Sequence, residues 1–206
     1  MDRRRLMMRC LEESPPLVYY SSENGFESDL SGNGVVLNRV GGTINDDGTL
    51  HLNEKTYNYA YIHLKPLGIV SDGNHTIEFK FSFPYDVVPE KWVFTPSASI
   101  DIGGGNGWNS SVIVGAKTAG AITVGGQGLA EIVKSPGFQK DILYTLRYSY
   151  SAGVIRLSIN DVVFDFVKLY EPDIALFGKT FHGNAYNYYV AEMNIHSIKI
   201  WKETTS

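Results

Sequence analysis

The chain has 206 residues, of which 43% are apolar and 13% aromatic, enough to build one large β-sandwich around a substantial core. The net charge is −4, and four arginines lie within the first nine residues; the remainder therefore carries about −7 and lacks the basic surface of a nucleic-acid-binding protein. No apolar run is long enough for a membrane-spanning helix, and the single cysteine, Cys10, excludes a disulfide within the chain.

Residues 1–16 are predicted to form a flexible basic tail or linker. They end in Ser14-Pro15-Pro16, where two prolines interrupt regular structure. The folded domain is therefore expected to span residues 17–206. The basic segment lacks the apolar run of about 7–15 residues that a secretory signal contains. We therefore expect the chain to be cytoplasmic as synthesised, unless a virion or another particle carries it out.

The dominant hydrophobic period is two, which is typical of β-strands. The alternation is strongest in His75–Phe83, where every second residue is apolar and the intervening ones are polar. The segment Tyr57–Leu64 alternates as well, with aromatic rings and His63 on one side and small or aliphatic residues on the other. Because both of its sides are partly apolar, it is predicted to be a central strand.

Three further strands are predicted to follow one another as an antiparallel meander, with the turn between the last two at Asn160-Asp161. In the last strand, about 190–201, the apolar parity changes near His196-Ser197, which indicates a β-bulge. The segment Glu171–Phe177 is interpreted as one short helical turn. About twelve short strands with almost no helix predict an all-β, two-sheet antiparallel jelly-roll sandwich.

Several short runs, taken in order, resemble the laminin G-like domain of the concanavalin A-like lectin/glucanase superfamily, over about residues 17–202. The runs are Tyr19-Tyr20 with Asp29–Gly34, Asp47–Leu52, Tyr61–Leu64, Thr76–Phe81, Tyr144–Tyr150 with Val154–Asp161, and Met193–Trp201. The segment 85–140 departs most from the pattern. The resemblance implies a concanavalin A-like sandwich, but the superfamily contains lectins, adhesion domains, glycosidases and virion proteins, so it implies no single function.

A glycosidase of this superfamily is expected to carry two or three carboxylates at alternate positions of one strand, where they face the same site. The sequence offers no such pair: Glu78 is followed on the same face by Lys80, and Asp101 stands between two isoleucines. No nucleophilic serine turn, phosphate-binding loop or zinc spacing occurs either. The sequence therefore predicts a protein that is not an enzyme.

Two segments combine aromatic rings with planar amides, the mixture that binds sugars by stacking and hydrogen bonding. The predicted ligand-binding residues are Asn106, Trp108 and Asn109 in the first segment and His182, Asn184, Tyr186 and Tyr188 in the second. The alternative is structural: Trp108 would pack over a sheet edge, and the tyrosines would cover a sheet.

Two acidic turns offer hard oxygen ligands suited to Ca²⁺, namely Asp46-Asp47 and Asp72-Gly73-Asn74. Acidic residues in turns usually only close the turn, however. We therefore predict no metal site and no cofactor.

Two functions remain after these exclusions. The first is a non-catalytic carbohydrate-binding or adhesion module that recognises surface polysaccharide. The second is a structural or assembly subunit, such as a phage tail or fibre accessory protein, that docks on a protein scaffold through residues 1–16. Neither function involves nucleic acid or membrane insertion, and a glycoside hydrolase ranks last.

Overall fold

A computed structural model describes most of the chain between residues 14 and 202. The described ranges are 14–56, 58–69, 74–86, 91–97, 113–116, 121–126, 129–151, 154–167, 173–178 and 191–202. Among these residues, no helix is long and apolar enough to cross a membrane.

Fifteen described strands, joined in places by single turns of 3-10 helix, make the fold all-β. The strands are β1 (Val18–Ser21), β2 (Asn38–Val40), β3 (Thr43–Ile44), β4 (Leu50–Leu52), β5 (Tyr59–His63), β6 (His75–Ser82), β7 (Lys91–Ser97), β8 (Ile113–Ala116), β9 (Ile122–Gly126), β10 (Leu129–Lys134), β11 (Tyr144–Ser151), β12 (Val154–Ile159), β13 (Val162–Val167), β14 (Ile174–Phe177) and β15 (Met193–Lys202). The 3-10 helices are Ser22–Asn24, Glu54–Thr56 and Lys65–Leu67.

The strands form two antiparallel sheets that pack face to face, which confirms the predicted jelly-roll sandwich. The first sheet has the order β13-β12-β11-β6-β15-β4-β3, with β1 paired to β15 beside this path. The second has the order β10-β9-β8-β7-β14-β5-β2. Consecutive strands β11, β12 and β13 are neighbours in the first sheet, as the meander prediction required, and the turn at Asn160 adopts a φ of 51°.

Strand β15 is the long central strand of the first sheet. It pairs with β6 along one edge, while β4 and β1 share the other edge one after the other. The register shifts between Ile195 and Ser197, which confirms the predicted bulge. The extra residue, His196, returns Ile198 to the apolar face that Ile195 occupies, so both are fully buried.

The prediction of a helical turn within Glu171–Phe177 is wrong for its described part. Residues Ile174–Phe177 form β14, which pairs with β5 on one side and with β7 on the other. All four side chains are exposed by 1% or less. A strand that is covered on both faces shows no alternation of apolar and polar residues, so its period gave no sign of a strand.

The core lies between the two sheets and is rich in aromatic rings. Phe79 of β6 is fully buried and meets Phe94 and Phe177 of the opposite sheet, with ring centroids 5.5 and 5.1 Å away. A neighbouring group around Phe81 and Phe138 continues the packing toward one end of the sandwich. Burial of each such side chain contributes about 1.5–3 kcal/mol to the stability of the fold, so the core stabilises it without a disulfide.

Candidate functional site

The ligand-binding residues predicted from the sequence lie outside the described residues. This applies to Asn106, Trp108 and Asn109 and equally to His182, Asn184, Tyr186 and Tyr188. It applies also to residues 1–13 of the predicted tail and to Asp72-Gly73. These predictions stay predictions, and the described residues offer two other candidate sites.

The first candidate site is a row of aromatic rings on β5. Successive side chains of a strand point to opposite faces of the sheet. Ala60 and Ile62 are therefore fully buried in the core, while the rings of the intervening residues lie on the outer face. Tyr59 and Tyr61 are half-buried there and His63 is exposed. We call Tyr59, Tyr61 and His63 the aromatic row.

Each ring of the row contacts the next one, along about 13 Å of strand. The centroids of Tyr59 and Tyr61 are 6.2 Å apart with an interplanar angle of 29°, and Tyr61 meets His63 edge to face at 5.3 Å. Burial raises the pKa of Tyr59, and the neighbouring Tyr61 adds to this effect. The phenol of Tyr59 therefore stays protonated at neutral pH and remains a hydrogen-bond donor.

The two flanks of the aromatic row differ. Toward β14, Leu176 lies opposite Tyr61 on the same face, yet it is fully buried, so this side of the row is closed. Toward β2, Asn38 lies opposite Tyr61 and Val40 lies opposite Tyr59. Val40 is 43% exposed, and β2 is the last described strand of its sheet, so this side is open. The row is thus a shelf along the edge of the sheet.

The chemistry of this shelf suits a polyhydroxylated ring. The apolar face of a sugar packs on an aromatic ring, and its hydroxyl groups exchange hydrogen bonds with phenols and amides. Asn38 supplies an amide whose Nδ2 makes one hydrogen bond within the described residues, to the carbonyl of Val36, and its length of 3.5 Å is at the limit for such a bond. The row, the amide and the open flank together form a shallow site.

The sequence signal for this site was the recurrence of a ring at every second position: Tyr57, Tyr59, Tyr61 and His63. It indicated a strand with two partly apolar faces, and the described pairing of β5 between β14 and β2 confirms its central position. The alternation did not show which face would turn outward. That depends on the burial of Ala60, Ile62 and Leu64, which only the packing of the sheets decides.

The second candidate site is a cleft of about 290 Å³ between residues 26–29 and residues 34–39, which we call the Asp29 cleft. Asp29 joins its walls. One carboxylate oxygen accepts hydrogen bonds from the N–H groups of Tyr19 and Ser31, and the other accepts from the hydroxyl of Ser31 and from the N–H of Val35. Burial raises the pKa of Asp29, but these hydrogen bonds outweigh it and hold the pKa below its usual value.

Tyr20 closes the floor of the Asp29 cleft. Its hydroxyl donates to the carbonyl of Val35 at 2.6 Å and accepts from the N–H of Leu37 at 3.0 Å. Its ring stacks on that of Phe26, with centroids 6.3 Å apart. The floor and both walls are therefore fixed by bonds within the chain, and the cleft is formed before any ligand arrives.

A polar network covers one end of the first sheet. His51 Nδ1 lies 2.8 Å from Asn194 Oδ1, which also accepts a hydrogen bond from Asn45 at 3.2 Å. Asp47, one of the acidic turn residues, accepts from the N–H and the hydroxyl of Thr49 at 3.0 and 2.6 Å. These hydrogen bonds lower the pKa of Asp47, whose carboxylate closes its own turn. Within the described ranges, no three His, Cys, Asp or Glu side chains are grouped to hold a metal ion.

No protein-family model matches the chain, and no curated protein matches it. Solved structures do match. One is botulinum neurotoxin type C, which interacts with two ganglioside molecules (TM-score 0.60, 12% identity, 93% of this chain, 49% of that chain). Others are the binding domain of botulinum neurotoxin DC in complex with SialylT (TM-score 0.58, 12% identity, 93% and 49%) and with rat synaptotagmin II (TM-score 0.56, 13% identity, 93% and 49%).

These similarities show a shared fold. The chain spans about half the length of the chains it matches, and identities of 12–13% transfer no contact residue. The neighbours are β-sandwich binding domains, in agreement with the two antiparallel sheets of this chain. The finer resemblance to laminin G-like domains stays a prediction.

Proposed function

We propose that the chain is a non-catalytic carbohydrate-binding module and that the aromatic row is its sugar-binding surface. The observation that carries this proposal is the row itself: Tyr59, Tyr61 and His63 are aligned on the outer face of β5, with the amide of Asn38 beside them. We propose further that the ligand is a surface polysaccharide and that the module serves adhesion.

The shape of the row favours a chain of sugars over a single terminal sugar. A ring that stacks on Tyr61 has Tyr59 and His63 within reach before and after it along the strand. None of the described strands lies beyond β2, so the flank toward β2 leaves room for the substituents of a sugar chain that follows the row. Extended contact of this kind suits internal units of a polysaccharide.

The likeness to neurotoxin binding domains supports the same class of ligand. Botulinum neurotoxin type C interacts with gangliosides, which are lipids that carry a glycan, and the DC binding domain forms a complex with SialylT. The DC binding domain also forms a complex with rat synaptotagmin II, a protein, so the fold accepts both kinds of partner. The aromatic row is what favours the glycan for this chain.

The described strands also favour binding over hydrolysis. A retaining glycosidase needs two carboxyl groups about 5–5.5 Å apart, and an inverting one needs them about 6.5–9.5 Å apart. On β6, Glu78 and Lys80 occupy successive positions of one face, and Glu78 lies 3.9 Å from Arg147 in an ion pair. This carboxylate is paired with a cation and has no second carboxylate beside it on its strand.

The experiment is a glycan and bacterial-polysaccharide array followed by titration of the best ligand. Replacing Tyr61 by Ala removes the central ring and is expected to weaken binding about tenfold, or about 1.4 kcal/mol. The matched control is Tyr19→Ala, since Tyr19 is a half-buried tyrosine on the first sheet, where its ring lies 4.6 Å from Lys199 Nζ. The control variant is expected to bind like the wild type.

Three outcomes would contradict the proposal: no binding to any glycan, equal weakening by both substitutions, or no weakening by either. The variants Trp108→Ala and Tyr186→Ala test the two predicted loop segments in the same assay. If only these two lose binding, the module is still a lectin, but the aromatic row is not its site. If the protein binds no glycan at all, the alternative is a structural subunit that docks on a protein scaffold through residues 1–16.

A further inference from the structure

The Asp29 cleft has fixed walls and two uncommitted charged groups. Its structural polar groups are fully used, since Asp29 accepts four hydrogen bonds and the Tyr20 hydroxyl makes two. Glu27 and Arg39 also line the cleft. Within the described part of the chain, neither side chain makes a hydrogen bond or ion pair, and they do not pair with each other. An acceptor and a donor are therefore left facing the cleft.

We propose that the Asp29 cleft binds one neutral sugar ring, with Glu27 accepting from and Arg39 donating to its hydroxyl groups. This site is separate from the aromatic row. Its volume of about 290 Å³ is just below the usual range for ligand sites, roughly 300–1,000 Å³, and fits one ring better than a chain.

The charges of the lining select the class of ligand. An anion would meet the carboxylates of Glu27 and Asp29, and a cation would meet the guanidinium of Arg39. A neutral ligand with adjacent hydroxyl groups avoids both repulsions. One hydroxyl donates to a carboxylate while its neighbour accepts from a guanidinium, and both bonds are charge-assisted.

The cleft also supplies apolar contact for such a ring. Val36 is 64% exposed at the cleft wall, although the residues on either side of it are at least partly buried. An exposed aliphatic side chain beside an uncommitted donor and acceptor is the combination that holds the C–H face of a sugar while its hydroxyls are bound.

The cleft and the aromatic row can be tested apart because they lie on opposite faces of β2. Arg39 is paired with Ala60, whose side chain points into the core, whereas Asn38 and Val40 are paired with the outward-facing Tyr61 and Tyr59. A ligand of the cleft should therefore be insensitive to Tyr61→Ala, and a ligand of the row should be insensitive to changes at Arg39.

The test is a titration followed by NMR chemical shifts, with D-galactose, D-glucose, D-mannose and N-acetyl-D-glucosamine as neutral probes and D-glucuronate as a charged one. At least one neutral sugar is expected to bind with a Kd of about 1 mM and more tightly than D-glucuronate. Glu27→Ala and Arg39→Ala are each expected to weaken this binding at least about tenfold. Both residues are exposed, so neither substitution should unfold the protein.

The controls match the substitutions in kind. Glu23→Ala removes an exposed glutamate that does not line the cleft, and Arg156→Ala removes an exposed arginine of β12 that pairs with Asp165 of β13. Both are expected to bind like the wild type. The proposal is overturned if none of the neutral sugars binds at about 10 mM, if D-glucuronate binds more tightly, or if Glu27→Ala and Arg39→Ala bind normally. It is also overturned if Tyr61→Ala abolishes the binding, because the sugar would then occupy the row.

Discussion

Two buried tyrosines of this fold should respond with opposite sign when each is replaced by Phe. The hydroxyl of Tyr148 is fully buried between the sheets and has no hydrogen-bond partner in the described part of the chain. Its ring lies 5.9 Å from Phe94 and 5.7 Å from His75, and burial, together with the nearby Tyr150, raises its pKa. The hydroxyl of Tyr20 makes two hydrogen bonds with the main chain.

The magnitudes follow from hydrogen-bond energetics. An unpaired buried hydroxyl costs about 1–3 kcal/mol, so Tyr148→Phe is expected to raise the free energy of unfolding by about 1 kcal/mol. Tyr20→Phe leaves the carbonyl of Val35 and the N–H of Leu37 without their partner, and is expected to lower it by about 2 kcal/mol. With a slope near 2 kcal/mol per molar urea, the midpoints should move by about +0.5 M and −1 M.

The assay is equilibrium unfolding in urea, followed by tryptophan fluorescence and by circular dichroism. Equal slopes for the three proteins would show that the shifts report stability alone. If Tyr148→Phe is destabilised as much as Tyr20→Phe, the hydroxyl of Tyr148 has a partner in the folded protein, and the reasoning from its isolation is refuted.

Two further predictions concern the carboxylate of Asp29 and two glycines in turns. Because the folded pKa of Asp29 is held below its unfolded value, its contribution to stability is present above about pH 4 and lost as the pH falls through the folded pKa. Asp29→Asn should therefore lower the free energy of unfolding by more than about 1 kcal/mol at pH 7 and by clearly less at pH 3. Urea unfolding at the two pH values measures this difference. An equal loss of stability at both pH values would contradict the prediction. Gly48 and Gly32 share a φ of 80°, but a Cβ on Gly48 would overlap the carbonyl of Ser22, whereas one on Gly32 meets nothing within 4 Å. Gly32→Ala should lower the melting temperature through backbone strain of about 1–2 kcal/mol. Gly48→Ala should lower the melting temperature considerably more. Equal decreases for the two variants would show that the loop at Gly48 shifts to accommodate the added Cβ.

The sequence could predict those strands that have one face in the core and one in water. The alternation of apolar and polar residues in β6 and the phase change at His196 both result from that environment, and the structure confirms both. It could not predict β14, because Ile174 and Leu176 are buried on the outer face as completely as Ala175 and Phe177 are in the core. The two-residue strand β3 is too short to show any period.

The candidate sites were less accessible to prediction. Composition favoured the loop segments around Trp108 and Tyr186, because aromatic and amide residues are adjacent there in the sequence. The aromatic row and Asn38 come together only through the pairing of β2 with β5. The Asp29 cleft likewise depends on hydrogen bonds that bring residues 26–29 and 34–39 together, which no short motif encodes.

The pairing of β1 and β4 with β15 has a consequence for how the protein is made. Val18 lies opposite Ile200, about 180 positions later in the chain, and Leu50 lies opposite Ile195. Until β15 leaves the ribosome, these early strands have no partner on that edge and β6 lacks one of its two neighbours. The nascent chain must therefore keep these apolar strands apart until β15 has been synthesised, and only then can the first sheet close.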